Sequence, residues 1–165
     1  MAKEKTLEDL FHETLKDIYF AEKKILVALP KMAKAANSDE LRAAFEKHEA
    51  ETETQVGRLE QIFDMIGKPA RGKTCPAILG LVEEGQEVMK DFKGNGALDA
   101  GLLAGAQAVE HYEISRYGTL IAWARQLDMT DVAKLLEATL QEEKKTDAAL
   151  TKLAEASLNQ MAEAA

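Results

Sequence analysis

The stretch "GKPARGKTCPAILGLVEEGQEVMKDFKGNG", Gly67 to Gly96, decides how the long apolar-striped segments on either side of it can be connected. It opens on Gly67-Lys68-Pro69 and closes on Gly94-Asn95-Gly96, both poor material for a continuing helix. Between them, residues 78–92 form an amphipathic run, and the pattern predicts a short helix stopped by Gly94. Antiparallel neighbours need only a short loop. A short helix rising about 1.5 Å per residue, with extended flanks, instead spans the roughly 40 Å length of a long bundle. The segment therefore reads as a crossover.

On its N-terminal side, Asn37 with Glu40 three residues on predicts the cap of a helix over about 38–66. A preceding helix over about 7–36 is announced by Thr6 and Asp9, and its stripe is Leu7, Phe11, Ile18, Ile25, Leu29 and Met32. Pro30 lies inside that span, and because the stripe continues past it a kink is expected rather than a stop. On the C-terminal side, a helix is expected over about 97–127, then a turn at Asp128-Met129-Thr130. A last helix follows over about 130–161, with a fraying Ala/Glu-rich tail. Each tight turn makes its two helices antiparallel neighbours. Two hairpins joined by one long connection is the ferritin-like form of the four-helix bundle. The expected fold is all-α, one domain over 1–165, with the crossover at 67–96 carrying a short fifth helix.

Bulk properties agree with that reading. A chain of 165 residues suits one domain with a sizeable core, and no long run alternates with period two as a strand would. With 21 Lys+Arg against 29 Asp+Glu, the net charge of −8 repels phosphate backbones and anionic lipid, so neither nucleic acid nor membrane is expected as a partner. The start, MAKEKTLEDLF, has no apolar signal core, and Asp99 interrupts the longest apolar stretch; a cytoplasmic location is expected. Cys75 is the only cysteine, cannot form an internal disulfide, and reads as a packed thiol.

The polar residues on the inward faces carry the functional signal. At about 100° per residue, Glu22 falls roughly 30° from the stripe of the first helix. On the second, His48, Thr52 and Gln55 lie near the stripe centre and Glu51 about 70° off. On the third long helix Glu113 is roughly 15° and Glu110 roughly 45° from centre; on the last, Glu143 is about 25°, Thr146 about 35° and Asp147 about 60° off. Reflection through the two tight turns brings Glu22 level with Glu51, and Glu110 and Glu113 level with Asp147 and Glu143. A single Glu beside a stripe ordinarily reaches water along its own methylenes. Acids from four helices converging at one depth are different, because each unpaired buried carboxylate costs several kcal/mol. They persist if protonated, paired or coordinating a cation. Carboxylates with one imidazole suit iron or manganese better than zinc or copper.

Other residues read more plainly. His48 is inward, and a place in the site, as ligand or as a group behind the ligands, weighs evenly against a satisfied core histidine. His111 points roughly 145° from its stripe and is expected at the surface or an interface. His12 is expected to be unrelated to the site. Tyr19 and Tyr117 read as packing aromatics, with Tyr117, one turn from Glu113, the better redox candidate. Met32, Met65 and Met89 read as gap-filling core residues.

Four motifs, "LKDIYFAEKKILVALPKMAKAA", "HEAETETQVGRLEQIF", "QAVEHYEISRYGTLIAWA" and "EATLQEEKKTDAALTKLA", together with "GKTCP" at the crossover entry, resemble the YciE/YciF-type family of bacterial ferritin-like proteins. The resemblance spans nearly the whole chain. It implies a bacterial stress response and a dimeric four-helix bundle related to rubrerythrin. The wider di-iron superfamily uses one Glu from each of two helices and a Glu-x-x-His motif from each of the other two. Carried over, that implies Glu22, Glu51, Glu110 with Glu113, and Glu143. The chain departs from the pattern: it has no Glu-x-x-His, reads His48-x-x-Glu51 on the second helix, and has Thr146 beside Asp147 on the last.

The leading expectation is a two-metal carboxylate protein binding iron, with manganese as the other candidate, and handling peroxide or oxygen. The metal set is Glu22, His48, Glu51, Glu110, Glu113, Glu143 and Asp147. The rivals are a metal-free bundle with a structural or partner-binding role, and an iron-storage shell, which no sequence feature supports. A homodimer or small homo-oligomer is expected. The smooth face of Gly101, Ala104, Gly105 and Ala108 invites either a second subunit or the chain's own crossover helix with Leu81, Val82, Val88 and Met89.

Overall fold

Thr6 starts the first helix with both halves of a capping box: its hydroxyl accepts from the Asp9 amide at 3.2 Å, and the Asp9 carboxylate accepts from the Thr6 amide at 2.9 Å. This computed structural model describes residues 4–165; Met1, Ala2 and Lys3, part of the start read above, lie outside the described residues. Helix α1 (Leu7–Ala35) runs on through Pro30 and ends where Ala36 turns extended. Helix α2 (Asp39–Met65) is capped by Ser38, whose hydroxyl accepts from the Leu41 amide at 3.3 Å, not by Asn37 as expected. The reason lies 62 residues away. The Asp99 carboxylate, 4% exposed, accepts from the Asn37 amide at 2.8 Å and from the Ser38 amide at 2.7 Å, and so fixes the turn before α2 begins.

The crossover helix α3 (Pro76–Asp91) begins with proline at its first position, where no N–H is needed. Its cap is Cys75, a buried thiol whose Sγ accepts from the Ile78 amide at 3.4 Å and lies 3.0 Å from Tyr112 Oη. Tyr112 gives its own proton to Asp17 at 2.7 Å, which leaves its oxygen free to accept from the thiol. One three-residue relay thus ties the start of α3 to α1 and to α4 (Leu98–Gln126). After Gly94 in the left-handed region (φ 78°) the chain enters α4, and after Asp128 (φ 56°) it enters α5 (Thr130–Leu153). A π turn over Ala154–Leu158 and the short α6 (Asn159–Glu163) complete the helices, and no strand occurs among the described residues.

Helix α1 packs on α2 and α4, and α5 packs on α4 and α2, while α3 lies against α4 and α1. Cross-helix pairs give the directions. Tyr19 reaches Glu60 and His12 meets Phe63 between α1 and α2; Gln107 reaches Thr151 and Arg125 reaches Glu137 between α4 and α5. Both pairs therefore run antiparallel. Their shared core includes Phe11, Ile18, Phe45, Phe63, Leu120 and Leu136, each contributing about 1.5–3 kcal/mol through burial. Close approach of α3 to α4 depends on Gly101, where an added Cβ would meet Val88 Cγ1 at 2.6 Å. At that point the smooth face of α4 is covered by the chain's own crossover. No helix is long and apolar enough to cross a membrane among the described residues.

Candidate metal centre

Four helices with inward stripes leave their polar inward residues nowhere to go but the middle. Glu22 of α1, His48 of α2, Glu110 and Glu113 of α4 and Glu143 of α5 are all buried, and all four acids are fully enclosed at 0% exposure. One ligand atom each from His48, Glu110, Glu113 and Glu143 lies within 4.8 Å of every other. The imidazole stands between two acids: His48 Nδ1 is 3.0 Å from Glu110 Oε1, and Nε2 is 3.6 Å from Glu143 Oε2. Glu22 adjoins the group through Glu113, the two carboxyls being close enough to share a proton, and it accepts from the Tyr117 hydroxyl.

Donors are scarce for so many acceptors. Among the described residues, no amide or hydroxyl donates to either oxygen of Glu113 or Glu110, nor to Glu22 Oε2 or Glu143 Oε2. Gln55 bridges Glu143 and Glu142 with its amide nitrogen. Arg58 clamps Glu142 with both terminal nitrogens, at 2.7 and 2.8 Å. That guanidinium bonds Glu142 and Thr139, not the enclosed acids behind them.

The titration behaviour follows from this. Burial, with the neighbouring Glu143 charge, pushes Glu22 up to about 8. Burial and its contact with Glu143 push Glu110 up to about 12. Glu113 rises well above the ordinary carboxylate range for the same reason, with the charges of Glu22, Glu143 and Glu110 adding to burial. Glu143 goes the other way. Burial pushes it up, but its contacts with His48 and Glu110 and the Gln55 hydrogen bond outweigh burial and hold it below the ordinary value.

Two of the expected acids stand apart. Glu51 is half-buried, held by Lys47 at 2.5 Å and reached by the Thr146 hydroxyl at 3.4 Å. Asp147 takes His111 Nε2 and Gln107 Nε2, each at 3.2 Å, and His111 itself is 70% exposed. His12 lies against Phe63, Tyr19 packs on Phe63 with its hydroxyl on Glu60, and Cys75 is packed. The Arg58–Glu142 clamp was missed because both residues lie off the stripes; only the reach of an arginine three residues after Gln55 hinted at it.

The donor set fits a metal. Several oxygens within a few ångströms lack protein donors among the described residues, and carboxylates with one imidazole match a hard or borderline cation.

Residues 6–163 match the family described as a domain of unknown function, DUF892. Protein YciF of Escherichia coli (strain K12) is 44% identical over 160 residues, covering 96% of each chain. The crystal structure of the E. coli stress protein YciF superposes with a TM-score of 0.90 over 94% of this chain and 99% of that one, at 44% identity. YcfI, a structural-protein candidate from Rhodopseudomonas palustris, superposes with a TM-score of 0.88 over 92% and 97% of the two chains, at 43% identity.

Proposed function

The chain belongs to the DUF892 family, and from that premise we propose that it is a ferritin-like protein whose buried acids hold two metal ions, iron before manganese, in a bacterial stress response. The observation that carries this reading is the group His48, Glu110, Glu113 and Glu143, with Glu22 beside it, enclosed and short of donors. These five residues are the ligand set, with Glu51 and Asp147 at its edges as further candidates. Bound iron would supply the electrons for reducing peroxide or oxygen. The protein's share is to exclude water, to hold Glu22 through the Tyr117 hydroxyl and to hold Glu143 through Gln55. The arrangement of α1, α2, α4 and α5, two hairpins joined through α3 as one domain, supports the ferritin-like assignment. A cytoplasmic location and a homodimer or small homo-oligomer complete the proposal. Sedimentation across micromolar concentrations reads the latter, and a monomer throughout would remove it.

A second reading is supported by the same carboxyls. Glu22 with Glu113, and Glu110 with Glu143, are close enough to share protons, so a metal-free bundle with a structural role could hold its acids neutral. Elemental analysis of the purified protein separates the two. About two iron or manganese ions per chain is expected. A metal-free protein that also takes up neither ion anaerobically would establish the structural reading instead.

A further inference from the structure

A cavity of about 270 Å³ opens between α1, α3 and α4. Its walls include Ile25, Leu29, Leu81, Val82, Leu102 and Val109, and His48 also lines it. Its apolar walls give water inside it few partners. Room is left on both sides: a Cβ added at Gly85 of α3 or Gly105 of α4 would meet nothing within 4 Å.

The charge pattern of the lining selects a ligand. No Asp or Glu is among the lining residues, although the chain carries a net charge of −8. The lining does include Lys24 and Lys31, seven residues apart and so two turns along one face of α1. Both are exposed, and the lysine ion pairs among the described residues belong to Lys16, Lys47, Lys73 and Lys134 instead. Lys24 Nζ rests 5.3 Å from the centre of the Phe20 ring and makes no ion pair among the described residues. Exposed Val27 and Leu79 also line the opening. A second copy of the chain could cover that opening but not fill the depth behind it. A slender molecule can do both.

We propose that this cavity binds an amphipathic carboxylate, its apolar body in the pocket and its head group at Lys24 and Lys31. An apolar cavity of about 150 Å³ admits benzene, so this one takes a body of about ten carbons. The site does not rest on the metal reading, since its walls and lysines stand whether or not the acids behind His48 hold an ion.

Decanoate and decanol titrated calorimetrically into the full-length protein, with and without chelator, test this. Saturable decanoate binding is expected in both states, about fivefold or more tighter than decanol. Gly105→Leu, which fills the pocket, should weaken decanoate about tenfold or more. The double variant Lys24→Gln/Lys31→Gln changes only surface groups, so it should fold normally and keep decanol binding while losing the preference for the acid. Absence of saturable binding overturns the proposal, as does an undiminished preference in the lysine variant. A change of sedimenting mass on decanoate addition, without saturable binding to the protein in its starting oligomeric state, would also overturn it and assign the opening to a subunit contact.

Discussion

Glu113 is enclosed, has no amide or hydroxyl donor, and shares its surroundings with three other carboxyls, so its removal should act on metal and fold in opposite senses. Glu113→Ala should abolish most metal binding yet leave the metal-free fold as stable or more so at neutral pH, because a poorly compensated buried acid is deleted. For the wild type, ferrous iron at a hundredfold excess over its dissociation constant should add about 2.7 kcal/mol. Anaerobic melting curves of both proteins, with and without iron, check this; an equal rise in the two would place the metal elsewhere. The burial of Glu22, His48, Glu110, Glu113 and Glu143 at one level was legible because helical spacing alone fixes which way a side chain leaves a helix. Glu51 and Asp147, about 70° and 60° off their stripes, were ambiguous by the same measure. The structure gives each a partner at the edge: Lys47 for one, His111 for the other. The Arg58–Glu142 clamp was not legible, since it depends on the register between α2 and α5.

Helix starts show the same division between local and distant causes. The Thr6–Asp9 box is a contact within one turn and could be read directly, whereas the shift of the second cap from Asn37 to Ser38 follows from Asp99 on α4. Asp99→Ala should therefore destabilise the protein by about 2–4 kcal/mol, removing the two charge-assisted bonds from the Asn37 and Ser38 amides to a buried carboxylate. Hydrogen exchange should quicken at the Asn37 and Ser38 amides, and unchanged exchange there would disprove the role. Tyr112→Phe should cost about 1–2 kcal/mol by leaving Asp17 and the Cys75 thiol without their shared partner. Its exchange signature should be confined to the first turn of α3, around Ile78. The crossover itself was legible from the length and punctuation of residues 67–96. Its anchor was not, because Cys75, Tyr112 and Asp17 are far apart in sequence. The π turn over Ala154–Leu158 left no mark in an Ala/Glu-rich tail that reads as ordinary helix.

For the molecule as a whole, the acids make stability depend on pH with a sign opposite to that of most carboxylates. Glu22, Glu110 and Glu113 have folded-state values raised above the ordinary 4.5, to about 8, to about 12 and well upward. Between pH 4.5 and 8 the metal-free native state therefore binds more protons than the unfolded chain, and stability falls as pH rises. Each such group adds to that fall. Glu143, held below 4.5, has the reverse effect, but only at lower pH, where its contribution is lost as pH falls. The metal-free melting midpoint should thus drop steadily from pH 5 to pH 8. General repulsion in a chain of net charge −8 bends the curve the same way, so the wild type alone does not isolate the buried acids. Glu113→Gln does: it keeps the side-chain shape, removes one titrating group, and should flatten the slope. Bound iron should invert the wild-type trend, since ligation favours the ionised forms and gains strength as protons leave. Midpoints measured at half-unit steps, chelated and iron-loaded under anaerobic conditions, read all three curves. A chelated wild type that grows more stable toward pH 8, or a variant with the wild-type slope, would show that these carboxyls do not titrate as a buried group.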